Sequence, residues 1–223
     1  MAHSEARAVR MLGVRKKILD TAKKLFSEQG YKKTTIRQIV QESGITSGSI
    51  YNLFENKDAV FSAIVDDVME VTVGLVEDHF ADQTPLYQYA AIMAVEWFAI
   101  EKDNVLRELY YEAYAEPVLF ENVIRRHLDL EERFLQDVDC VGSCKVEENH
   151  ARMILSKGAM LSYIESFFFD KQLEGRLLRR ELAMVTFGGL GIKKKEIKDI
   201  VRFMESIEEQ CTEMADQILA IAE

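Results

Sequence analysis

The fold of this chain is decided by residues 34–61, which read TTIRQIVQESGITSGSIYNLFENKDAVF. Thr35 can cap a first short helix, and Gln38 three residues later completes a capping box. Gly44 follows the last turn of that helix, where the chain needs a left-handed backbone that glycine adopts at least cost. The pattern predicts a short helix that ends in a tight turn.

A second short helix follows the turn, since Thr46 can cap it and Ile50 and Phe54 fall at core-facing spacing. Two short helices joined in this way are typical of a helix-turn-helix, which places its second helix in the major groove of DNA. The other residues of the second helix are small or able to form hydrogen bonds, as a groove-reading surface requires. These outward-facing residues are Ser47, Gly48, Ser49, Tyr51 and Asn52.

A third helix is expected to begin near Lys57, where a cation and free backbone N–H groups can meet a phosphate. The sequence therefore predicts double-stranded DNA as a partner of this segment. The expected DNA-binding residues are Thr35, Arg37, Ser47, Gly48, Ser49, Tyr51, Asn52 and Lys57.

This segment resembles the N-terminal domain of the TetR family of bacterial transcription regulators. The family signature runs from a basic first helix through a Thr-Thr capped second helix to a Gly-x-x-x-Gly-x-x-Tyr-x-x-Phe-x-x-Lys stretch. That stretch is formed here by Gly44, Gly48, Tyr51, Phe54 and Lys57. The resemblance covers about residues 12–61, roughly a quarter of the chain. It departs at Leu53, where an aromatic residue is common, at Ser47, where a basic residue is frequent, and at Val40, which replaces an alanine.

The charge of the chain is divided unevenly along its length. The formal net charge is −10, but residues 1–58 carry eleven basic and six acidic residues, or +5, which leaves −15 on the remainder. A basic head on an acidic body orients the molecule toward a polyanion and keeps the body away from it. Chance clustering of solvated charges is the alternative interpretation.

Length and periodicity favour an all-α protein. A chain of 223 residues can form one or two domains with a proper core, and its two prolines leave room for long helices. No segment alternates convincingly as a strand would. We expect a three-helix DNA-binding head in residues 1–56 and a helical ligand-binding and dimerisation domain in residues 57–223. A loop is expected at residues 188–191, followed by one unbroken helix over residues 193–222.

Two segments are candidates for contact with a second copy of the chain. The helix that begins near residue 147 is rich in small residues, and close helix contact can offset the cost of about 1 kcal/mol for a glycine inside it. The last helix carries an apolar stripe along its whole length. The resemblance implies a homodimer in which the last long helices of both subunits form a four-helix bundle, while filling of both faces within one subunit is the alternative. The expected interface residues are Ile154, Gly158, Ser162, Ile200, Met204, Ile207 and Cys211.

The middle of the chain is dense in aromatic residues. The resemblance implies that these helices enclose an unknown small-molecule effector, and tyrosines suit a ligand of mixed polarity. The candidate ligand-binding residues are Trp97, Phe98, Tyr110, Tyr114, Phe134 and Tyr163. Core packing is the alternative for each of them. A cation could be faced by Glu96, Glu101, Glu108 and Glu112, although a helix glutamate is more often solvated.

Catalytic patterns are missing from the sequence. His127 and Glu131 lie one helical turn apart, which supplies half a metal site, but no second pair completes it. The chain has no Gly-x-Ser-x-Gly and no His-Glu-x-x-His stretch. We therefore expect no enzymatic activity, no cofactor and no metal.

Cysteine usage and hydropathy indicate the compartment. Cys140, Cys144 and Cys211 form an odd and sparse set that fits a reducing cytosol, with a redox switch at the first two as the less common alternative. The N-terminus lacks the apolar segment of a secretory signal, and the longest apolar stretch, residues 89–100, is too short to span a membrane. We expect a cytoplasmic protein without membrane contact.

These observations predict a homodimeric, TetR-like transcription regulator. Its expected action is repression at a palindromic operator, relieved by a small-molecule effector. The alternative is a DNA-bound scaffold whose helical body binds a protein partner, and a helical enzyme with an incidental DNA head is the weakest option. An enclosed aromatic cavity favours the first, whereas an exposed apolar patch over a filled core favours the second.

Overall fold

The computed structural model describes residues 2–169 and 173–222, and the side chains of residues 9–169 and 173–220. Within these residues every regular element is a helix, which confirms the predicted all-α class. The chain divides into two compact units. We call the unit that runs to Val68 the head and the unit from Met69 to Ala220 the body.

The head contains three helices and the start of a fourth. Their bounds are α1 Ala2–Gln29, α2 Ile36–Ser43, α3 Ser47–Tyr51 and α4 Lys57–His79. Side chains of all four helices are buried in its core, including Ile18, Ile39, Ile50 and Phe61. An aromatic cluster lies beside them, in which the Tyr31 ring is 5.5 Å from that of Phe26 and 4.8 Å from that of Phe61. The two predicted short helices of the helix-turn-helix are therefore present as α2 and α3, and the helix expected to begin near Lys57 is present as α4.

The division between head and body falls inside α4. Val60, Phe61 and Ile64 of its first turns are buried, and Asp67 accepts two hydrogen bonds from Arg15 of α1, at 2.8 and 3.0 Å. The sequence analysis placed the boundary after residue 56, directly before α4, whereas the compact unit of the head extends to Val68. The head includes the first turns of α4 because their apolar side chains complete its core.

The body consists of the rest of α4 and eight further helices in the described residues. Their bounds are α5 Pro85–Lys102, α6 Asn104–Ala115, α7 Pro117–Leu135, α8 Asp139–Gly142, α9 Val146–Glu165, α10 Gly175–Gly189, α11 Lys194–Ser206 and α12 Glu208–Ala222, with a 3₁₀ turn at Ser166–Phe168. Every side chain of residues 89–100 in α5 is buried. A helix that is buried on all sides lies at the centre of its unit, and the neighbours of α5 include α6, α7 and α11.

Two predicted boundaries in the body are wrong. The last helix is broken at Ile207, whose backbone (φ −105°, ψ 15°) leaves the helical region, so that α11 and α12 each bury their own apolar side. Gly188 and Gly189 continue α10 and do not form a loop. The left-handed residue that follows this helix is Gly191, at φ 86°, so the chain turns later than the run of glycines suggested.

Candidate functional site

The helix-turn-helix of the head is held by local hydrogen bonds. Thr35 Oγ1 accepts a bond from the Gln38 N–H at 3.3 Å, and Gln38 Oε1 accepts one from the Thr35 N–H at 2.8 Å, so the predicted capping box is present. Gly44 ends α2 at φ 62°, in the left-handed region. Thr46 caps α3 by accepting a bond from the Ser49 N–H at 3.3 Å. These local bonds set the direction in which α3 leaves the turn.

The outer side of α3 is open to solvent. Ile50 and Phe54 are buried, whereas Ser47, Gly48 and Asn52 are exposed and Tyr51 is 52% exposed. Ser49 differs from its neighbours, since it is half-buried and its hydroxyl lies 2.9 Å from that of Thr46. Four of the eight expected DNA-binding residues, namely Ser47, Gly48, Tyr51 and Asn52, are thus exposed on or directly after α3, and Thr35 and Arg37 are exposed at the start of α2.

Lys57 is not a freely exposed surface cation, because its side chain contacts Tyr31. Its ammonium donates a hydrogen bond to the Tyr31 carbonyl oxygen at 2.7 Å and lies 3.8 Å from the centre of the Tyr31 ring. The side chain is half-buried, so it also ties the start of α4 to the loop after α1. A phosphate contact through Lys57 remains a prediction, and it would share the ammonium with this internal bond.

Some residues around the site escaped the sequence analysis. Asn56 caps α4 through a bond from the Ala59 N–H to its Oδ1 at 2.8 Å, and asparagine just before a helix is the signal that could have revealed it. Lys32 and Lys33 are exposed just before α2 and add positive charge to this end of the head. Their signal is the pair of lysines directly before Thr34 and Thr35.

A cluster of polar side chains lies inside the body. Glu96 of α5 is 2% exposed, His127 of α7 is 1% exposed and Lys157 of α9 is 3% exposed. Glu131, one turn after His127, is buried as well. Ionisable groups are seldom buried unless they are paired or used, because burial removes their hydration. We call Glu96, His127, Glu131 and Lys157 the polar core.

The hydrogen bonds of the polar core are incomplete. Glu96 Oε2 and His127 Nε2 lie 3.8 Å apart, and among the described residues neither atom has a hydrogen-bond partner. Tyr114 donates a long bond of 3.5 Å to Glu96 Oε1, and the Lys157 ammonium lies 3.5 Å from the sulfur of Met93, a weak acceptor. Only Glu131 is well satisfied, by a bond of 2.8 Å from Asn149.

Burial and charge set the protonation states of the polar core. Burial alone would raise the pKa of Glu96, but the Lys157 charge, the nearby His127 imidazole and the Tyr114 hydroxyl together outweigh it and lower this pKa. Burial lowers the pKa of His127, and the Lys157 charge acts in the same direction, so the imidazole is neutral at pH 7. Burial raises the pKa of Glu131 and lowers that of Lys157.

The candidate ligand-binding residues are all buried in the body, but they lie in different surroundings. Tyr110 and Tyr114 interact electrostatically with Glu96 and belong beside the polar core, as does Tyr89, which the sequence analysis did not select. Trp97 and Phe98 line a separate small cleft with three arginines of α10. For Phe134 the structure shows burial and an Arg133 guanidinium 5.3 Å from its ring centre.

Tyr163 belongs to a third arrangement. Its hydroxyl donates a bond of 2.5 Å to Glu101 Oε1, and Arg179 pairs with the other oxygen of that carboxylate. The Arg179 guanidinium also lies 4.2 Å from the centre of the Phe98 ring. The six candidates therefore do not share one set of neighbours, because they lie on four different helices, α5, α6, α7 and α9.

The four glutamates that could face a cation also differ. Glu108 is exposed, as expected for a helix charge, Glu112 is half-buried, and Glu101 is paired with Arg179. Glu96 is buried, so the interpretation of it as a solvated charge is wrong. The sequence signal was present, since Glu96 interrupts a run of apolar residues in the centre of α5.

The expected dimer residues fall into two groups. Ile200, Met204, Ile207 and Cys211 are buried within a single chain, so they are not surface residues and their assignment to an interface is wrong. The apolar stripe of α11 and α12 fills the core of the body, which was the alternative interpretation. Burial also raises the pKa of the Cys211 thiol to about 12 and keeps it protonated.

The other group of expected dimer residues is exposed on α9. Ile154, Gly158 and Ser162 follow at one-turn spacing, and Leu155 beside them is 75% exposed. The neighbouring helix α10 adds two more exposed apolar side chains, Leu177 and Val185. We call this surface the α9–α10 face. The residues of this face on α10 were not predicted, because the apolar stripe of the last helix was expected to contact the second copy.

No group of three potential metal ligands lies close together in residues 9–169 and 173–220. None of the helices among the described residues has the length and apolarity to cross a membrane. Cys140 and Cys144 are half-buried free thiols, and a redox role for them stays untested.

Comparison with known proteins identifies the head. Residues 18–64 match the family described as "Bacterial regulatory proteins, tetR family". The HTH-type transcriptional repressor Rv1474c of Mycobacterium tuberculosis is 41% identical over 56 residues, which cover 25% of this chain and 30% of the repressor. The chain thus spans less than a third of the length of this curated relative.

Two solved structures share the fold over most of the chain. A complex of SmeT with triclosan is 25% identical with a TM-score of 0.51, and the match covers 82% of this chain and 93% of SmeT. A complex of RolR with resorcinol is 17% identical with a TM-score of 0.57, covering 87% of this chain and 95% of RolR, and supports the fold alone.

The similarity is concentrated where the local geometry is most regular, in the capped helices of the head. The curated relatives are named as transcriptional regulators, and none of these names is that of an enzyme. The matching sequence and the shared all-α fold thus place the head of this chain, residues 18–64, in the TetR family of bacterial regulatory proteins.

Proposed function

We propose that this chain is a homodimeric transcription repressor that leaves a palindromic DNA operator when a small-molecule effector binds its body. The observation that carries the proposal is the exposed outer side of α3, which follows a capped turn of helix-turn-helix geometry. Its small and hydrogen-bonding side chains suit contact with base edges. Such a protein acts on operator DNA in the cytoplasm.

The α9–α10 face supports the homodimer. Exposed apolar side chains on these two packed helices lose unfavourable contact with water when a second copy covers them. Gly158 has no atom within 4 Å of the place where a Cβ would stand, so the surface is open there to a close neighbour. A two-fold dimer suits two DNA half-sites, because each head then reads one of them.

The polar core supports the effector. It combines unsatisfied polar atoms with buried tyrosines, and such a combination is typical of ligand sites. The relatives SmeT and RolR were solved with triclosan and resorcinol, respectively. By analogy, a small organic effector is proposed for this chain.

DNA binding is tested by selecting operators from random duplexes with the full chain and measuring mobility shifts across salt concentrations. Asn52→Ala should change the preferred sequence, with about 10- to 100-fold loss if Asn52 makes a bidentate base contact. Arg37→Ala should weaken all sequences and lower the salt slope by about 1 if it contacts a phosphate. Glu209→Gln, on the exposed surface of α12, is the control. Selection that enriches no duplex would refute the proposal.

The homodimer is tested by light scattering. Leu155→Glu should convert a dimer to a helical monomer, because a charge would be buried in the α9–α10 face without a partner. Val118→Glu changes a valine that is also exposed but lies on α7, and it should leave the mass unchanged. A wild-type monomer at micromolar concentration, or a dimer that only Val118→Glu disrupts, would overturn this assignment.

The alternative of a DNA-bound scaffold makes a different prediction. Its body would bind a protein through an exposed apolar surface, and no small molecule would release the DNA. If the dimer covers the α9–α10 face and a small molecule lowers operator affinity, the scaffold function is excluded. If no compound changes operator affinity and the wild-type chain is a monomer, the scaffold takes precedence.

A further inference from the structure

The strongest unexplained feature of the body is a pair of polar atoms that face each other without a donor between them. Glu96 Oε2 and His127 Nε2 are 3.8 Å apart, and both side chains are at least 98% buried. In the described residues no protein group donates a hydrogen bond to either atom. Leaving a buried polar atom unpaired costs free energy, so the pair calls for a partner from outside the chain.

The protonation of His127 defines what that partner must offer. His127 Nδ1 lies 2.9 Å from the Val123 carbonyl oxygen, which only accepts, so the imidazole proton is assigned to Nδ1. Nε2 of the neutral ring then carries a lone pair and accepts. Glu96 is a carboxylate, whose Oε2 also only accepts. The partner must therefore supply two donors at neighbouring positions.

The charge of the surroundings indicates an uncharged partner. The Lys157 ammonium is the buried cation that already stabilises the Glu96 carboxylate. A ligand cation would be attracted by Glu96 but repelled by Lys157, and an anion would meet the opposite pair of forces, so neither gains from both charges. A neutral group that carries two hydroxyl hydrogens meets both conditions.

The aromatic neighbours of Glu96 favour a flat ring as the partner. Tyr89, Tyr110 and Tyr114 are buried and lie within electrostatic reach of Glu96. Aromatic side chains pack well on the faces and edges of another ring, and their hydroxyls tolerate a polar substituent. Two hydroxyls on neighbouring ring carbons are close enough to donate hydrogen bonds to two acceptors that lie 3.8 Å apart. Two hydroxyls on opposite sides of a ring are too far apart to do so.

We propose that the effector of this chain is a small, uncharged aromatic vicinal diol, whose two hydroxyls donate to Glu96 Oε2 and His127 Nε2. The inference rests on the proposed function in one respect, namely that the body binds an effector. The helices α5 and α7 provide the two acceptors, and α6 provides two of the tyrosines. Glu96 and His127 are then the residues that determine ligand specificity.

The experiment compares three probes of nearly equal shape by calorimetry on the full chain, with oxygen excluded. Catechol offers two hydroxyl donors, guaiacol offers one, and veratrole offers none. Catechol should bind, guaiacol about 10-fold more weakly, and veratrole more weakly still, since each lost bond to a buried acceptor costs about one factor of ten. Equal affinities for the three probes, or binding of none of them, would overturn the proposal.

Variants then locate the site. Glu96→Gln keeps the size of the side chain but removes the charge, and should weaken catechol about 10- to 100-fold because hydrogen bonds to charged groups are the stronger ones. Glu205→Gln, which lines the other cleft and pairs with Arg176, should leave catechol affinity unchanged. A normal catechol affinity in folded Glu96→Gln would contradict the assignment. The probe series on the unmodified chain decides the question if Glu96→Gln fails to fold.

Failure of this inference can be distinguished from failure of the proposed function. If the three probes rank as expected but catechol leaves operator affinity unchanged, the diol site stands and release by an effector is wrong. If another compound releases the operator while the three probes bind equally or not at all, the proposed function stands and the diol class is wrong.

Discussion

The head and the body place their functional polar side chains in opposite environments. In the head, Ser47 and Asn52 are exposed on α3, whereas in the body Glu96, His127 and Lys157 are enclosed by helices. An exposed polar group keeps its water until a partner replaces it, but a buried group has already lost its water and depends on its neighbours. A substitution in the head should therefore change recognition, and a similar substitution in the body should change stability as well.

The largest effect is expected from removing the buried cation whose charge lowers the pKa of Glu96. Lys157→Met leaves the Glu96 carboxylate buried without this charge, which should cost about 1–3 kcal/mol of unfolding free energy. The matched change in the head, Arg37→Met, alters an exposed side chain and should stay within about 0.5 kcal/mol. Urea unfolding followed by circular dichroism and by Trp97 fluorescence measures both.

The double variant Glu96→Gln/Lys157→Met serves as the control for charge. It removes both ionised groups and should recover most of the stability that Lys157→Met loses. If Lys157→Met and Arg37→Met shift the unfolding midpoint equally, the contrast between head and body does not hold.

Acid should destabilise the body through His127. Burial lowers the pKa of His127 in the folded state, so the unfolded chain binds more protons below its own pKa of about 6.5, and stability falls as the pH drops. The slope for one proton approaches at most about 1.4 kcal/mol per pH unit below pH 6.5. Glu96 contributes below this window, because its pKa is lowered from an ordinary value near 4.5.

His127→Gln isolates this contribution. Glu131 has a raised pKa and acts in the opposite direction, but it is present in both proteins and cancels in the difference. The unfolding free energy of His127→Gln should therefore depend less on pH between 6.5 and 5 than that of the unmodified chain. Parallel pH profiles would show that His127 is charged when buried.

A glycine substitution should have opposite signs in the two regions. Gly44 ends α2 at φ 62°, so Gly44→Ala forces a side chain into the left-handed region at a cost of about 1–2 kcal/mol. Gly74 lies in the part of α4 that belongs to the body, with nothing within 4 Å of the Cβ position, so Gly74→Ala should stabilise by about 1 kcal/mol. Thermal unfolding measures both changes, and a stabilising Gly44→Ala would contradict the geometry of the turn.

The smallest effect concerns two threonines at helix starts. Thr35 accepts a capping bond in the head, and Thr35→Ala should cost about 1 kcal/mol. Thr84 precedes α5 in the body but makes no capping bond with its side chain, so Thr84→Ala should change stability by no more than a few tenths of a kcal/mol. Equal losses at the two positions would mean that the hydroxyl bond is not what stabilises α2.

The head could be predicted almost completely because its signals are local. The capping box at Thr35, the left-handed Gly44 and the cap at Thr46 each depend on residues within a few positions along the chain. The interaction of Lys57 with Tyr31 could not be predicted in the same way, since it joins residues 26 positions apart.

The structure of the body was less predictable from its sequence. The stripe of α11 and α12 has the spacing of an amphipathic helix, but spacing alone does not say whether the apolar side meets its own subunit or a second one. The structure buries this stripe and leaves Leu155 and Val185 exposed instead. The candidate ligand residues were correctly expected in the interior, yet they separate into different surroundings.

The sequence by itself determined the family of the head, the all-α class and the outward side of α3, because capping, turn formation and helical periodicity are short-range effects. Only the tertiary structure decided that Glu96, His127 and Lys157 come together, and that the α9–α10 face is the exposed one. These residues lie on α5, α7 and α9, far apart in the chain. Their meeting depends on which helix faces pack together, and that choice follows from burial summed over the whole core.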